Sequence, residues 1–238
     1  MIELDKYTVK ARLYPSFLVL LPVFIVSVYY ITDFEKYYHY FTALIGVGLF
    51  TFLLSQIGRD KGKLKEPNLH KYFGGKPTTQ ILRHRNNYID SVTKQRYHKL
   101  LSQKIADIQI PSELEETNNS TFADQVYDSC AKFLISKTRD TKKFNLLFKE
   151  NISYGFRRNL WGMKIWALLL LLFCFGLHFY FATKNLTVFN HYETKDIGLF
   201  AFLLATTLFW LLIVNKNWIK LPAFAYAERL YETLNELE

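Results

Sequence analysis

Residues 13–31 read LYPSFLVLLPVFIVSVYYI and contain no Asp, Glu, Lys or Arg. Similar apolar runs occupy residues 37–57, 161–182 and 197–214, and the single charge within them is Lys164. A helix rises about 1.5 Å per residue, so each run spans roughly the 30 Å hydrocarbon core of a bilayer. A chain of 238 residues could hardly bury four such helices in a soluble core. The runs therefore predict four transmembrane helices.

The Lys and Arg residues are distributed unevenly along the chain. Residues 58–160 carry 20 Lys and Arg against 11 Asp and Glu, so the whole net charge of +9 falls in this segment. Basic residues beside transmembrane helices are retained on the cytoplasmic side of the membrane. We therefore expect a multi-pass protein with this segment and both termini in the cytoplasm.

These patterns predict an all-α membrane protein in which two transmembrane hairpins flank a helical cytoplasmic domain. The predicted segments are a cytoplasmic lead at 1–12, the first hairpin at 13–57, the basic cytoplasmic domain at 58–160, the second hairpin at 161–214 and an amphipathic cytoplasmic tail at 215–238.

Local signals subdivide the basic domain. Residues 58–75 are polar and rich in Gly and Lys, and residues 108–119 contain an acidic run, so both predict loops. The predicted helix starts are Pro77, the cap Asp90, a capping box of Thr121 with Asp124, and Pro222 for the last helix.

An anion site is one interpretation of the basic residues. Gly74 and Gly75 precede a predicted helix start and would present free N–H groups, although Pro77 and His70 break the Walker pattern. The candidate ligand-binding residues are Lys76, Arg83, Arg85, Arg96, Arg139, Lys142, Lys143, Arg157 and Arg158. Removing Arg83 and Arg85 together should weaken binding of an anionic nucleotide. The alternative is a solvated basic face beside anionic lipid.

Small and hydroxyl residues mark the apolar runs. Ala201 and Ala205 lie four residues apart, as do Thr42 and Gly46, which favours close helix packing and a symmetric homo-oligomer such as a tetramer. The candidate pore-lining residues are Thr51, Ser55, Thr206 and Thr207. Alternatively, each hydroxyl bonds to its own helix backbone.

Patterns of known enzymes and metal sites are missing from the sequence. It contains no HExxH, CxxC or GxSxG, and its six histidines lack metal-ligand spacing. We therefore predict no enzyme activity, metal or cofactor. We also predict no disulfide between Cys130 and Cys174, because Cys174 lies within a predicted transmembrane helix and Cys130 in the cytoplasmic segment. His178 has two interpretations, a tip that reaches the membrane interface or a pore or proton site.

Four strings carry a family resemblance: IGRDKGK, GGKPTTQILRHR, TKQRYH and TRDTKKFNLLFKENISYGFRRNL. Together they resemble the membrane effectors of the Hailong anti-phage defence system, which are small bacterial four-helix membrane proteins. The resemblance implies a homo-oligomeric channel in the bacterial inner membrane that depolarises infected cells, a form of abortive infection. It also implies a companion nucleotidyltransferase, whose oligonucleotide product holds the channel shut until infection removes it.

The sequence thus predicts a channel effector whose partners are its own copies, a nucleotide or DNA oligomer, the nucleotidyltransferase and the lipid bilayer. The alternative is a membrane scaffold or anchor whose basic domain docks a protein partner or anionic lipid. A lipid-modifying enzyme is disfavoured, because no His, Asp or Glu cluster lies at a membrane boundary.

Overall fold

The computed structural model describes residues 5–30, 37–184 and 194–237, with side chains described throughout except at 37–45, 47, 184 and 194. Within these ranges every regular element is a helix and no strand occurs. The prediction of an all-α protein is therefore confirmed for the part of the chain that the structure describes.

The helices follow one another with short connections. In chain order they are α1 (Tyr14–Tyr30, preceded by a π-helical segment at Thr8–Leu13), α2 (Tyr37–Phe73), α3 (Pro77–Leu82), α4 (Ser91–Lys104), α5 (Glu113–Asn118), α6 (Ser120–Lys137), α7 (Asn145–Gly162), α8 (Lys164–Lys184), α9 (Thr194–Leu208, followed by a π-helical segment at Phe209–Ile213) and α10 (Lys216–Glu232, followed by a 3-10 turn at Thr233–Asn235).

The chain divides into two compact units. Unit 1 comprises Met1–Lys65 and Gly155–Trp218, and unit 2 comprises Glu66–Tyr154 and Ile219–Glu238. The predicted C-terminal tail therefore contributes most of its residues to unit 2, where Ala227, Leu230 and Tyr231 are buried.

Three helices are long and apolar enough to cross a membrane: Thr8–Tyr30, Lys164–Thr183 and Lys195–Ile213. They correspond to three of the four predicted runs, and most of their residues are not buried within the chain. The remaining run, 37–57, begins α2. Since many of its side chains lie outside the described part, a fourth span remains a prediction.

Unit 1 is built around α1, α8 and α9. Its buried core is lined by apolar side chains from all three helices and from their extensions: Val19, Val26, Leu160, Met163, Ala167, Leu171, Cys174, Leu199, Leu203, Trp210 and Val214. Large apolar side chains such as Phe173, Leu172 and Leu212 point outward, which suits helices surrounded by lipid.

Residues 58–73 are helical, so the prediction of a loop over 58–75 is wrong for most of its length. The glycines there serve helix packing instead. A Cβ atom on Gly162 of α7 would lie 2.7 Å from the backbone nitrogen of Gly62 in α2, and one on Gly58 would lie 2.6 Å from the sulfur of Met163. The absence of side chains lets α2 and α7 approach closely.

Unit 2 is a bundle of short helices over a core that includes Leu101, Tyr127 and Leu134. Asp90 caps α4 as predicted, because its side chain accepts a hydrogen bond from Thr93 N at 2.8 Å. A helix, α5, interrupts the predicted loop at 108–119.

Two predicted helix starts are wrong. The capping box lies at Ser112 and Glu115 instead of at Thr121 and Asp124, and α6 is capped by Asn119. The last helix begins at Lys216 and contains Pro222 within it. Asn215 supplies the start signal, because its side chain accepts from Trp218 N at 3.0 Å.

Candidate functional site

The glycine pair of the predicted anion site ends α2. Gly74 and Gly75 have φ values of +88° and +138°, a conformation that ends helices and favours glycine. Both N–H groups donate to α2 carbonyls, that of Gly75 to His70 O at 2.8 Å. Their carbonyls accept from Arg83 and Gln80, each at 2.8 Å. The prediction that these glycines present free N–H groups to an anion is therefore wrong.

Two of the candidate ligand-binding cations are paired with carboxylates of α6. Arg83 makes a bidentate pair with Asp124, with nitrogen to oxygen distances of 2.7 and 2.6 Å. Lys76 donates to Asp128 at 2.7 Å. These contacts fasten the residues on either side of α3 to α6, and they partly neutralise the two cations.

A third candidate, Arg85, lies beside a buried carboxylate. Its Nε is 3.7 Å from Glu116 of α5, which is only 3% exposed. Glu116 also accepts from His84 N and from the Tyr127 hydroxyl, each at 2.8 Å. Lys94 is nearly buried and donates to His84 O at 3.3 Å. These groups form a polar network inside unit 2.

Glu116 is hard to recognise from sequence as a buried residue, because the acidic run around it resembles a solvated loop. The spacing of Ser112 and Glu115 was the available signal, since a capping box predicts a helix whose next position could face the core.

His98 adjoins this network and is held in its neutral form. Its ring stacks on Tyr127 with a centroid distance of 5.9 Å, and its Nε2 donates to Leu82 O at 2.8 Å. Burial lowers the pKa of His98 to about 4. Burial, with the hydrogen bond to Glu116, raises the pKa of Tyr127 well above its usual value. Both groups are uncharged at neutral pH.

We expect unit 2 to lose stability in acid through His98. Its pKa falls from 6.5 to about 4 on folding, so between these values the unfolded chain binds a proton that the folded chain does not. Stability should therefore fall as the pH is lowered through this window, by about 2–3 kcal/mol. Thermal midpoints followed by circular dichroism should drop less steeply with acid in His98→Gln. Parallel pH profiles for the two proteins would contradict this assignment.

The turn between α6 and α7 carries three of the remaining candidates. Arg139, Lys142 and Lys143 are exposed, and among the described residues no carboxylate lies within ion-pair distance of them. Asp140 accepts from the backbone N–H groups of Lys142 and Lys143 at 2.8 and 3.1 Å. These hydrogen bonds lower the pKa of Asp140 and fix the turn. We call residues 139–143 the basic turn.

The other three candidates contact aromatic or amide groups. Arg96 lies over the ring of Tyr97. Arg157 donates to Trp218 O at 2.8 Å, and Arg158 points toward Asn159. Arg157 and Arg158 belong to unit 1 and the other seven candidates to unit 2, so a common site for all nine remains a prediction.

Three of the four candidate pore hydroxyls bond to their own helices. Ser55 donates to Phe52 O at 2.6 Å, and Thr206 and Thr207 donate to carbonyls four residues earlier at 2.8 and 2.9 Å. Thr51 Oγ1 is buried and has no hydrogen-bond partner among the described residues. A pore-lining role for the four remains a prediction.

A polar cluster lies in unit 1 where the end of α1 meets α8 and the start of α9. His178 is buried, with Nδ1 2.7 Å from the Tyr30 hydroxyl and Nε2 3.2 Å from Asp196 O. The Tyr29 hydroxyl donates to the Asp196 carboxylate. An adjacent cavity of about 530 Å³ is lined by Phe175, His178, Phe179, Ala182, Asp196, Ile197 and Phe200. The buried side chain of His178 therefore links α8 to the end of α1 and to the start of α9.

Within the described ranges, no group of three or more His, Cys, Asp or Glu residues could hold a metal ion. Cys130 and Cys174 are both buried free thiols.

Comparison with protein-family models, with curated proteins and with solved structures finds no match.

Proposed function

We propose that the protein is a homo-oligomeric ion channel of the bacterial inner membrane, with four spans and both termini in the cytoplasm. A nucleotide or DNA oligomer, supplied by a nucleotidyltransferase, binds its basic cytoplasmic part and shifts the channel between closed and open. Opening depolarises the cell in response to phage.

The observation that carries this proposal is an unoccupied small-residue face on α9. Gly198, Ala201 and Ala205 are exposed along it, and a Cβ atom on Gly198 would meet nothing within 4 Å. Gly176 of α8 is equally open. Small residues let helix backbones approach within a bilayer, so these faces suit contact with neighbouring copies. An ion path then runs between subunits, because one chain offers too few spans to enclose it.

Ligand binding is assigned first to the basic turn. Lys76, Arg83 and Arg85 form ion pairs with carboxylates. In the described part of the chain, no carboxylate lies within ion-pair distance of the side chains of Arg139, Lys142 and Lys143, and Asp140 bonds to backbone N–H groups of the turn. Unpaired cations bind phosphates without first losing an internal partner. Each charge-assisted contact contributes about 1.5–3 kcal/mol, so two contacts are enough to favour one state of a two-state channel by several kcal/mol.

The expected result concerns the triple variant Arg139→Gln, Lys142→Gln, Lys143→Gln in liposomes that report K⁺ flux. A short single-stranded DNA oligomer should alter flux through the wild type, and the variant should need on the order of 100-fold more oligomer for the same change. The matched control is Lys71→Gln, Lys99→Gln, Lys149→Gln, which removes the same charge from other exposed positions of unit 2.

Equal oligomer sensitivity in both variants would contradict the ligand site. Flux no greater than in protein-free liposomes, with and without the oligomer, would contradict the channel itself. The carboxylate contacts of Lys76, Arg83 and Arg85 would then favour the second candidate function, a membrane anchor or scaffold whose remaining basic surface docks a partner.

A further inference from the structure

Several chain segments meet at one end of unit 1. Asn159 Nδ2 donates to Ala11 O at 2.7 Å, and Lys164 Nζ donates to Val214 O at 2.9 Å. Lys65 Nζ donates to a carbonyl of α7 at 3.1 Å. These hydrogen bonds hold four segments close together: residues 5–13, 58–65, 155–164 and 214–218. We call these four segments the rim.

The rim is strongly basic, whereas unit 2 is not. The rim contains 11 Lys and Arg against 2 Asp and Glu. Unit 2 contains 16 Lys and Arg against 14 Asp and Glu, a net charge of only +2. The rim cations are Lys6, Lys10, Arg12, Arg59, Lys61, Lys63, Lys65, Arg157, Arg158, Lys164 and Lys216. The positive charge of the protein is therefore concentrated beside the apolar spans.

Two rim arginines have unsatisfied donors. The Nε groups of Arg12 and Arg59 are buried and have no hydrogen-bond partner among the described residues. Arg12 lies one turn before Ser16, whose hydroxyl contacts the Met163 sulfur at 3.9 Å, and Arg59 follows Gly58, which packs on the same sulfur. Both arginines thus lie near the level of Met163. A buried N–H without an acceptor is costly, so each of these guanidinium groups would gain from an anionic partner at its accessible edge.

Tryptophan and leucine side chains indicate the depth of the rim. Lys65 Nζ lies 5.3 Å from the centre of the Trp161 ring, and the Arg157 guanidinium carbon lies 4.7 Å from that of Trp218. Tryptophans concentrate where a membrane meets water. Leu64, between two rim lysines, is 73% exposed. An apolar side chain there suits a lipid surface better than bulk water.

The structure assigns the rim as a binding surface for anionic phospholipids, whose phosphate groups take up the rim cations. This inference does not depend on the proposed channel or on its nucleotide ligand. A free phosphate offers the same acceptor oxygens, but only a lipid also covers Leu64 and the two tryptophans.

The test uses the full-length protein reconstituted in phosphatidylcholine vesicles. All four tryptophans belong to unit 1, so brominated lipids that bind it quench their fluorescence. We expect brominated phosphatidylglycerol to associate more strongly than brominated phosphatidylcholine. In Lys10→Gln, Lys61→Gln, Lys63→Gln, three exposed rim positions, this preference should fall on the order of 100-fold, since each cation near an anionic surface contributes about 1 kcal/mol.

Two matched variants complete the experiment. Lys71→Gln, Lys99→Gln, Lys149→Gln removes the same charge from exposed positions of unit 2 and should keep the lipid preference. Lys10→Arg, Lys61→Arg, Lys63→Arg retains the rim charge and should also keep it, which separates lost charge from misfolding.

Three results would overturn the assignment. These are an unchanged preference in the rim Gln variant, an equal loss in the unit 2 variant, and loss of the preference in the rim Arg variant. Inorganic phosphate at matched ionic strength should not abolish the preference. If it does, the rim is a site for soluble anions and the lipid assignment is wrong.

Discussion

Replacing Gly162 with Ala should destabilise unit 1 by about 2–3 kcal/mol, near the upper end of the usual cost of overpacking. The added Cβ would lie 2.7 Å from Gly62 N and 3.0 Å from Gly62 Cα. Both are backbone atoms, so no side-chain rotation can relieve the contact, and α7 must move away from α2. Moving it also disturbs the carbonyl of Gly162 that accepts from Lys65.

Gly48→Ala is the matched control, because it is also a helical glycine of unit 1 and its Cβ would meet nothing within 4 Å. Alanine is the better helix former, so this control should be neutral or slightly stabilising. Hydrogen exchange followed by mass spectrometry should show faster exchange over residues 58–65 and 155–164 in Gly162→Ala alone. Equal exchange in the two variants would mean that the close approach of α2 and α7 is not needed.

The same glycines show why sequence predicted only part of the fold. Bilayer thickness sets the length of a spanning helix, and three of the four apolar runs form helices long and apolar enough to span a membrane, as their length predicted. Gly58 and Gly62 were read as loop residues because glycine disfavours an isolated helix. Their role depends on Met163 and Gly162, which lie far away in sequence.

Charge pairing limited the prediction of the candidate site in a similar way. The sequence identified Lys76, Arg83 and Arg85 as cations near a helix start, but it gave no indication of their neighbours. Asp124 and Asp128 reach two of them from α6. Which carboxylate meets which cation is decided by helix packing, and composition cannot show it. The three cations of the basic turn stay candidates, because no distant carboxylate within the described part of the chain pairs with their side chains.

The largest effect in unit 2 is expected from Glu116→Ala. The change removes the acceptor of the Tyr127 hydroxyl and of His84 N, and it leaves Lys94, which is 5% exposed, without its neighbouring carboxylate. Removing one partner of a buried charge network costs about 3–5 kcal/mol. Burial already lowers the pKa of Lys94, and Glu116 opposes that shift, so the variant should lower the pKa of Lys94 further.

Hydrogen exchange of the full-length protein measures this loss locally. A loss of about 3 kcal/mol corresponds to roughly 100-fold faster exchange through local opening, and we expect it over residues 83–90 and along α6. Glu113→Ala, at an exposed position of the same helix, should leave these segments unchanged. Glu116→Gln should fall between the two, because its amide oxygen still accepts one hydrogen bond while the charge is lost. If Glu116→Ala exchanges no faster than Glu113→Ala, the buried carboxylate does not hold the chain after α3 against α6.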